Sequence, residues 1–117
     1  MLGKVKKLGR ILDSNEFNVN KISEVLISEV GAIQIYLFGS YAYGTADEDS
    51  DIDLYVVADL AGRKKIDVTK DARRALLKHV FMPVDILVSD INEFNIRKEN
   101  QTTLEYIVAR EGVRLYG

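Results

Sequence analysis

Ile33-Gln34-Ile35-Tyr36-Leu37-Phe38-Gly39-Ser40-Tyr41-Ala42-Tyr43-Gly44 is followed, beyond a short polar spacer, by Ser50-Asp51-Ile52-Asp53-Leu54-Tyr55-Val56-Val57. Ile33, Ile35 and Leu37 alternate with Gln34 and Tyr36, the period-two pattern of a strand. Gly39-Ser40 ends that run. Glycine lets backbone approach a ligand closely, and a serine hydroxyl can donate to a phosphate oxygen. Gly44 breaks the chain again, and a second strand opens at Asp51. Side chains on a strand alternate faces, so Asp51 and Asp53 point the same way, with Cα atoms roughly 6.5 Å apart. Ile52, Leu54 and Val56 then point to the opposite, buried face.

Two carboxylates side by side on one strand face repel each other. A polar loop whose aspartates cap and turn is one explanation. A hard cation is another, because Mg²⁺ is held by one or two carboxylates together with substrate phosphates. A Gly-Ser turn at the end of the preceding strand can hold the far end of the same phosphate chain. That combination favours the cation.

The chain has 117 residues, a length that suits one domain spanning 1–117. Its 47% hydrophobic and 29% charged content is ordinary for a globular protein. A net charge of −2 gives no overall electrostatic footprint for nucleic acid. Without cysteine there are neither disulfides nor thiolate metal sites, and His79 alone cannot make a multi-histidine zinc centre. No apolar run approaches the roughly 18 residues of a membrane span, and the N-terminus lacks the apolar core of a signal peptide. The expected setting is cytoplasmic.

Leu2, Val5, Leu8 and Leu12 lie at helical spacing among Lys4, Lys6, Lys7 and Arg10, predicting a basic amphipathic helix within residues 1–15. A second helix starts at Asn18 or Asn20, buries Ile22, Val25, Leu26 and Val30, and stops at Gly31. A third, about 63–80, turns Ile66, Thr69, Ala72 and Leu76 inward, extended by Leu77 and Val80, with a basic outer face and His79 near its end. Pro83 opens the next strand. Val84, Ile86 and Val88 share one of its faces, and Asp85 and Leu87 the other. A charge inside an apolar strand is costly to bury unless it is paired or bound to metal. Asp85 is therefore either an ion-pair member or a third carboxylate of the cation site. Asp90 with Glu93 and Thr102 with Glu105 fit capping boxes for two short helices. Leu104, Ile107 and Val108 are expected to face the core, with Gly112 as the last cap and a short strand over 113–116. The order implies an α+β fold, a mixed sheet with helices packed on one side.

Gly39-Ser40, Gly44 and Ser50-Asp51-Ile52-Asp53-Leu54 resemble the signature of the DNA polymerase beta-like nucleotidyltransferases, and within them the minimal nucleotidyltransferases often paired with HEPN-domain proteins. The resemblance covers most of the chain and implies the polymerase beta-like palm fold. It implies Mg²⁺-dependent transfer of a nucleoside monophosphate from ATP or another triphosphate to a hydroxyl acceptor on a partner protein, in the manner of an antitoxin. It places Asp51, Asp53 and Asp85 as catalytic ligands of two Mg²⁺ ions, and Gly39, Ser40 and Ser50 at the nucleotide. It implies a HEPN-like partner or a second copy of the chain, which at this length would supply the missing acceptor surface. An inactive antitoxin acting by occlusion and a small-molecule transferase of the aminoglycoside-modifying kind are the alternatives. Many relatives carry arginine where this chain has Tyr43, so a cation near the phosphates is replaced here.

Overall fold

The structure is a computed structural model that describes residues 19–47, 50–80 and 83–117. The basic helix expected within residues 1–15 lies outside the described residues. Helix α1 (Val19–Val30) buries Ile22, Val25, Leu26 and Val30, the stripe expected of it. Strand β1 (Ala32–Phe38) leads into the single-turn helix α2 (Ser40–Tyr43). After the loop, β2 (Ile52–Ala58) runs back antiparallel to β1. Helix α3 (Lys65–Leu76) then crosses over to β3 (Val84–Asp90), which lies parallel to β2. Helices α4 (Ile91–Arg97) and α5 (Leu104–Glu111) precede the short strand β4 (Val113–Tyr116), antiparallel to β1. The sheet order is β3-β2-β1-β4, a mixed four-stranded sheet in an α+β fold.

The two faces of the sheet carry different work. Ile35, Leu37, Ile52, Leu54, Val56, Ile86 and Val88 point to the face covered by α1 and α3, and with those helices form the main core. Tyr36, Tyr55 and Val57 point the other way, onto Phe94 of α4 and Val108 of α5. The expectation of helices on one side holds for the two long helices. The two short ones add a partial second layer, because β1 and β2 bring aromatic residues to the face that a purely one-sided sheet would leave to solvent. Aromatic stacking ties that layer down: Phe94 lies 5.7 Å from Tyr36 and 5.5 Å from Tyr55, ring centre to ring centre.

Helix α3 is shorter and turned differently from the expectation. Its buried residues are Val68, Ala72, Ala75 and Leu76. Ile66 is 61% exposed at the first turn, where the helix has not yet met the sheet, and Leu77 is 70% exposed just past its end. Asp90 does cap α4, accepting from the Asn92 N–H at 2.9 Å, and its other oxygen accepts from the Leu60 N–H at 3.0 Å. The cap of α5 is Thr103, not Thr102, and it accepts from the Tyr106 N–H. Leu104 and Ile107 are exposed, and Val108 alone of the three residues expected inside is buried.

The frame shifts because Glu105 has another task. Its carboxylate is buried, accepts from the Tyr55 hydroxyl at 2.6 Å, and accepts from Arg97 Nε at 2.9 Å. Burial pulls its pKa up, but the bonds from Tyr55 and Arg97 outweigh that and hold it below the usual carboxylate range. The stabilisation is therefore present above the ordinary carboxylate pKa and is lost as pH falls through the depressed folded value. Glu105→Gln is expected to cost about 2 kcal/mol at neutral pH, since a charge-assisted buried bond is lost. Denaturant unfolding should show that difference shrinking in acid, as the wild-type carboxylate takes up its proton.

Candidate active site

The three aspartates meet on the sheet face that carries α4 and α5, at the end of the sheet where β1 finishes and β2 and β3 begin. Register explains how. Phe38 at the end of β1 pairs with Asp53 on β2, and Asp53 pairs with Asp85 on β3. Paired residues share a face, so Asp85 stands one strand away from Asp53, about 4.8 Å in the pairing direction. Asp51 precedes β2 by one residue and is exposed; Asp53 is half-buried. Asp85 is exposed too, so the expected penalty for burying a charge in β3 does not arise: Ile86, Val88 and Ser89 are the buried residues of that strand, with Val84 partly buried.

Asp53 registers its neighbours electrostatically. Burial raises its proton affinity first, and the charges of Asp85 and then Asp51 raise it further. Three like charges held at one sheet end disfavour ionisation at the central one, and a divalent cation would relieve that repulsion. Among the described residues, no three acidic or histidine side chains are grouped so that they could by themselves hold a metal ion. The donor set is nevertheless all hard oxygen, and Mg²⁺ completes such open sites with waters and substrate phosphates. The carboxylates fit that ion in the chemistry of their donor atoms.

Gly39 lies against this cluster. Its φ of 76° and ψ of −156° belong to a region that side chains do not adopt. A Cβ there would overlap the Asp53 carboxylate, with Cγ only 3.1 Å away. Glycine is needed here for close approach to the protein's own aspartate, a reason the sequence did not disclose. Ser40 follows it as the first residue of α2, and the Gly39 carbonyl accepts from the Ala42 and Tyr43 N–H groups. Ser50 is occupied in a turn: its hydroxyl accepts from the Asp47 N–H at 3.0 Å and lies 3.2 Å from the Asp47 carboxylate. It fixes the approach to Asp51 and stands apart from the Gly39-Ser40 turn in the network of bonds.

Tyr43 is exposed on α2, and its hydroxyl is hydrogen-bonded to Glu111 at the end of α5. Burial first, then the Glu111 charge and that bond, raise its pKa. Tyr43 is thus a strut between the Gly39-Ser40 turn and the C-terminal helix. Tyr43→Phe is expected to cost under about 1 kcal/mol in a thermal melt, as for an exposed hydrogen bond.

Sequence reasoning missed a cleft of about 270 Å³ beside the carboxylates, lined by Asp51, Arg73, Leu76, Leu77, Val80 and the 83–86 segment that opens β3. Its only sequence signal was Leu77, an apolar residue at a helix end.

Comparison with known proteins adds the following. A family described as polymerase beta, nucleotidyltransferase, matches residues 20–117. The protein adenylyltransferase MntA of Shewanella oneidensis is 31% identical over 103 residues, 87% of this chain and 67% of that protein. A Methanocaldococcus jannaschii protein named as a candidate protein adenylyltransferase is 47% identical over 49 residues, 42% of this chain, and the match spans only 33% of its own length. Among solved structures, a toxin–antitoxin complex of MntA with HpeT, mutated from aspartate to glutamate at two positions with one residue between them, aligns over 86% of this chain and 74% of that one, with a TM-score of 0.52 and 26% identity. A Sulfolobus solfataricus protein covers 96% of this chain and 85% of its own at a TM-score of 0.55, and at 20% identity shows the fold alone.

Proposed function

Since the chain belongs to the polymerase beta nucleotidyltransferase family, we propose that it transfers a nucleoside monophosphate, AMP from ATP in the first instance, to a hydroxyl on a partner protein. The observation that carries this reading is the row Gly39, Asp53, Asp85 across three adjacent strand ends, with Asp51 beside it. The names of the relatives, protein adenylyltransferase among them, support the same class. The spacing of the two aspartates mutated in the MntA–HpeT complex is also that of Asp51 and Asp53.

Asp51 and Asp53 would hold two Mg²⁺ ions in common, with Asp85 on the acceptor-side ion; when bound, these supply charge neutralisation on the triphosphate and a more acidic acceptor hydroxyl. The Gly39 N–H and Ser40 hydroxyl hold the β and γ phosphates, and Ser50 keeps Asp51 in place through its turn with Asp47. The acceptor oxygen bonds to the α-phosphorus, the bond from that phosphorus to the pyrophosphate oxygen breaks, and the hydroxyl proton passes to Asp85 or to water. Most of the rate comes from positioning and charge neutralisation, as in other phosphoryl transfers. The partner is a HEPN-type protein or a second copy of this chain, in a cytoplasmic toxin–antitoxin pair.

A second reading is a binding module that neutralises its partner by occlusion. Two points favour it: Tyr43 stands where the resembling nucleotidyltransferases often carry arginine, and among the described residues no three acidic or histidine side chains are grouped so that they could hold a metal ion. Labelled ATP separates the two. Nucleotidyl transfer leaves α-phosphate label, and no γ label, on a co-purified partner; label from neither position supports occlusion.

A further inference from the structure

We infer that the free edge of β3, together with the cleft beside it, is the docking track for the acceptor segment. This rests on the nucleotidyl-transfer reading and adds where the acceptor lies and what flanks its hydroxyl. In that reading pyrophosphate leaves toward Gly39-Ser40, at the end of β1. Entering and leaving oxygens stand roughly in line through phosphorus, so the acceptor comes from the opposite side of Asp53. The strand on that side is β3, carrying Asp85. Beyond β3 the sheet ends, and among the described residues no strand pairs with its outer edge. An open edge offers unpaired main-chain donors and acceptors to an extended peptide.

The alternation of a strand then specifies the peptide. A residue of the added strand on the Asp85 face would bring its side chain to the carboxylates. Its immediate neighbours would turn to the other face, into the cleft whose apolar walls are Leu76, Leu77, Val80 and Ile86 and whose rim toward the site carries Asp51 and Asp85. Leu77 is 70% exposed there, an apolar residue that packing on the chain's own core does not explain. Arg73 also lines the cleft, is exposed, and among the described residues makes no ion pair. The acceptor is thus an extended polypeptide segment with its hydroxyl residue next to an apolar residue and close to an acidic one.

The test uses the full chain, Mg²⁺, α-labelled ATP and a peptide array with a central Tyr, Ser or Thr and varied flanks. Peptides with an adjacent apolar residue and a nearby acid should take label at least about tenfold better than those with lysine at both places. Arg73→Glu should move the preference from acidic to basic flanks, and Leu77→Glu should lower labelling of the apolar-flanked peptides about tenfold, with calorimetric ATP binding unchanged in both. Both residues are exposed, so the variants should melt like the wild type. Labelling that ignores the flanks, or no labelled peptide despite ATP binding, overturns this inference alone. Loss of ATP binding in both variants also overturns it, assigning the cleft to the nucleotide. A wild type that binds no ATP with Mg²⁺ overturns the transfer reading and this one with it.

Discussion

Asp53→Asn should lose transfer by about 10³-fold or more while melting no lower than the wild type in metal-free buffer. The loss follows from the place of Asp53 between Asp51 and Asp85, where the proposed ions share it; removing several kcal/mol of charge stabilisation in the transition state costs that much rate. The retained or improved stability follows from the same geometry read without metal. Burial, then Asp85 and Asp51, raise the proton affinity of Asp53 in the folded chain. A raised carboxylate favours folding below its unfolded pKa, and that advantage is lost as pH rises through the folded value. At neutral pH the ionised group is therefore a liability, and the amide removes it. Because Asp53 is only half-buried, solvent screening keeps the gain below about 1 kcal/mol, a few degrees of melting temperature at most. The gain should fade as the buffer is acidified. Such a split between stability and activity is the mark of a functional cluster. A variant that melts well below the wild type and keeps its transfer rate would mean that Asp53 is structural.

The second large effect is expected at Gly39. Gly39→Ala places a Cβ on the Asp53 carboxylate and forces a side chain into a backbone region reserved for glycine. The backbone term alone costs about 1–3 kcal/mol, and the aspartate must also move. A loss of about 3 kcal/mol, roughly 10 °C in a thermal melt, is the expected result. Nucleotide binding should fall with it, because the displaced Asp53 is one of the two residues both proposed ions would share. An alanine variant with wild-type melting and wild-type ATP binding would show that the turn relaxes freely and that its contact with Asp53 is incidental.

Much of this was legible in the chain, and particular residues show why. The alternation through Ile35, Leu37, Ile52, Leu54 and Val56 gave both central strands and their buried face, but Ile33, counted in the same alternation, is exposed, because the register shifts between Ala32 and Gln34. The same rule put Asp51 and Asp53 on one side, and Asp85 opposite Ile86 and Val88. What could not be read were contacts between elements distant in sequence. Glu105 looked like a capping residue three positions after Thr102, whereas Tyr55, fifty positions earlier, binds it. Gly39 looked like an opening for a ligand, and a backbone angle with a cross-strand contact was needed to show Asp53 filling that space. The inward face of α3 was set by where the helix meets the sheet, which left Ile66 and Leu77 outside. Asp85 was singled out for the burial cost of a charge in an apolar strand, yet it is exposed; its link to the site is the pairing with Asp53.

The central claim is that Asp51, Asp53 and Asp85 join a divalent cation to a nucleotide held at Gly39-Ser40. Calorimetric titration of ATP into the wild type, with and without Mg²⁺, and into Asp51→Asn/Asp53→Asn tests it most directly. The account predicts saturable binding that requires Mg²⁺ and disappears in the double variant. Binding of equal strength without the metal, or undiminished in the variant, would contradict it.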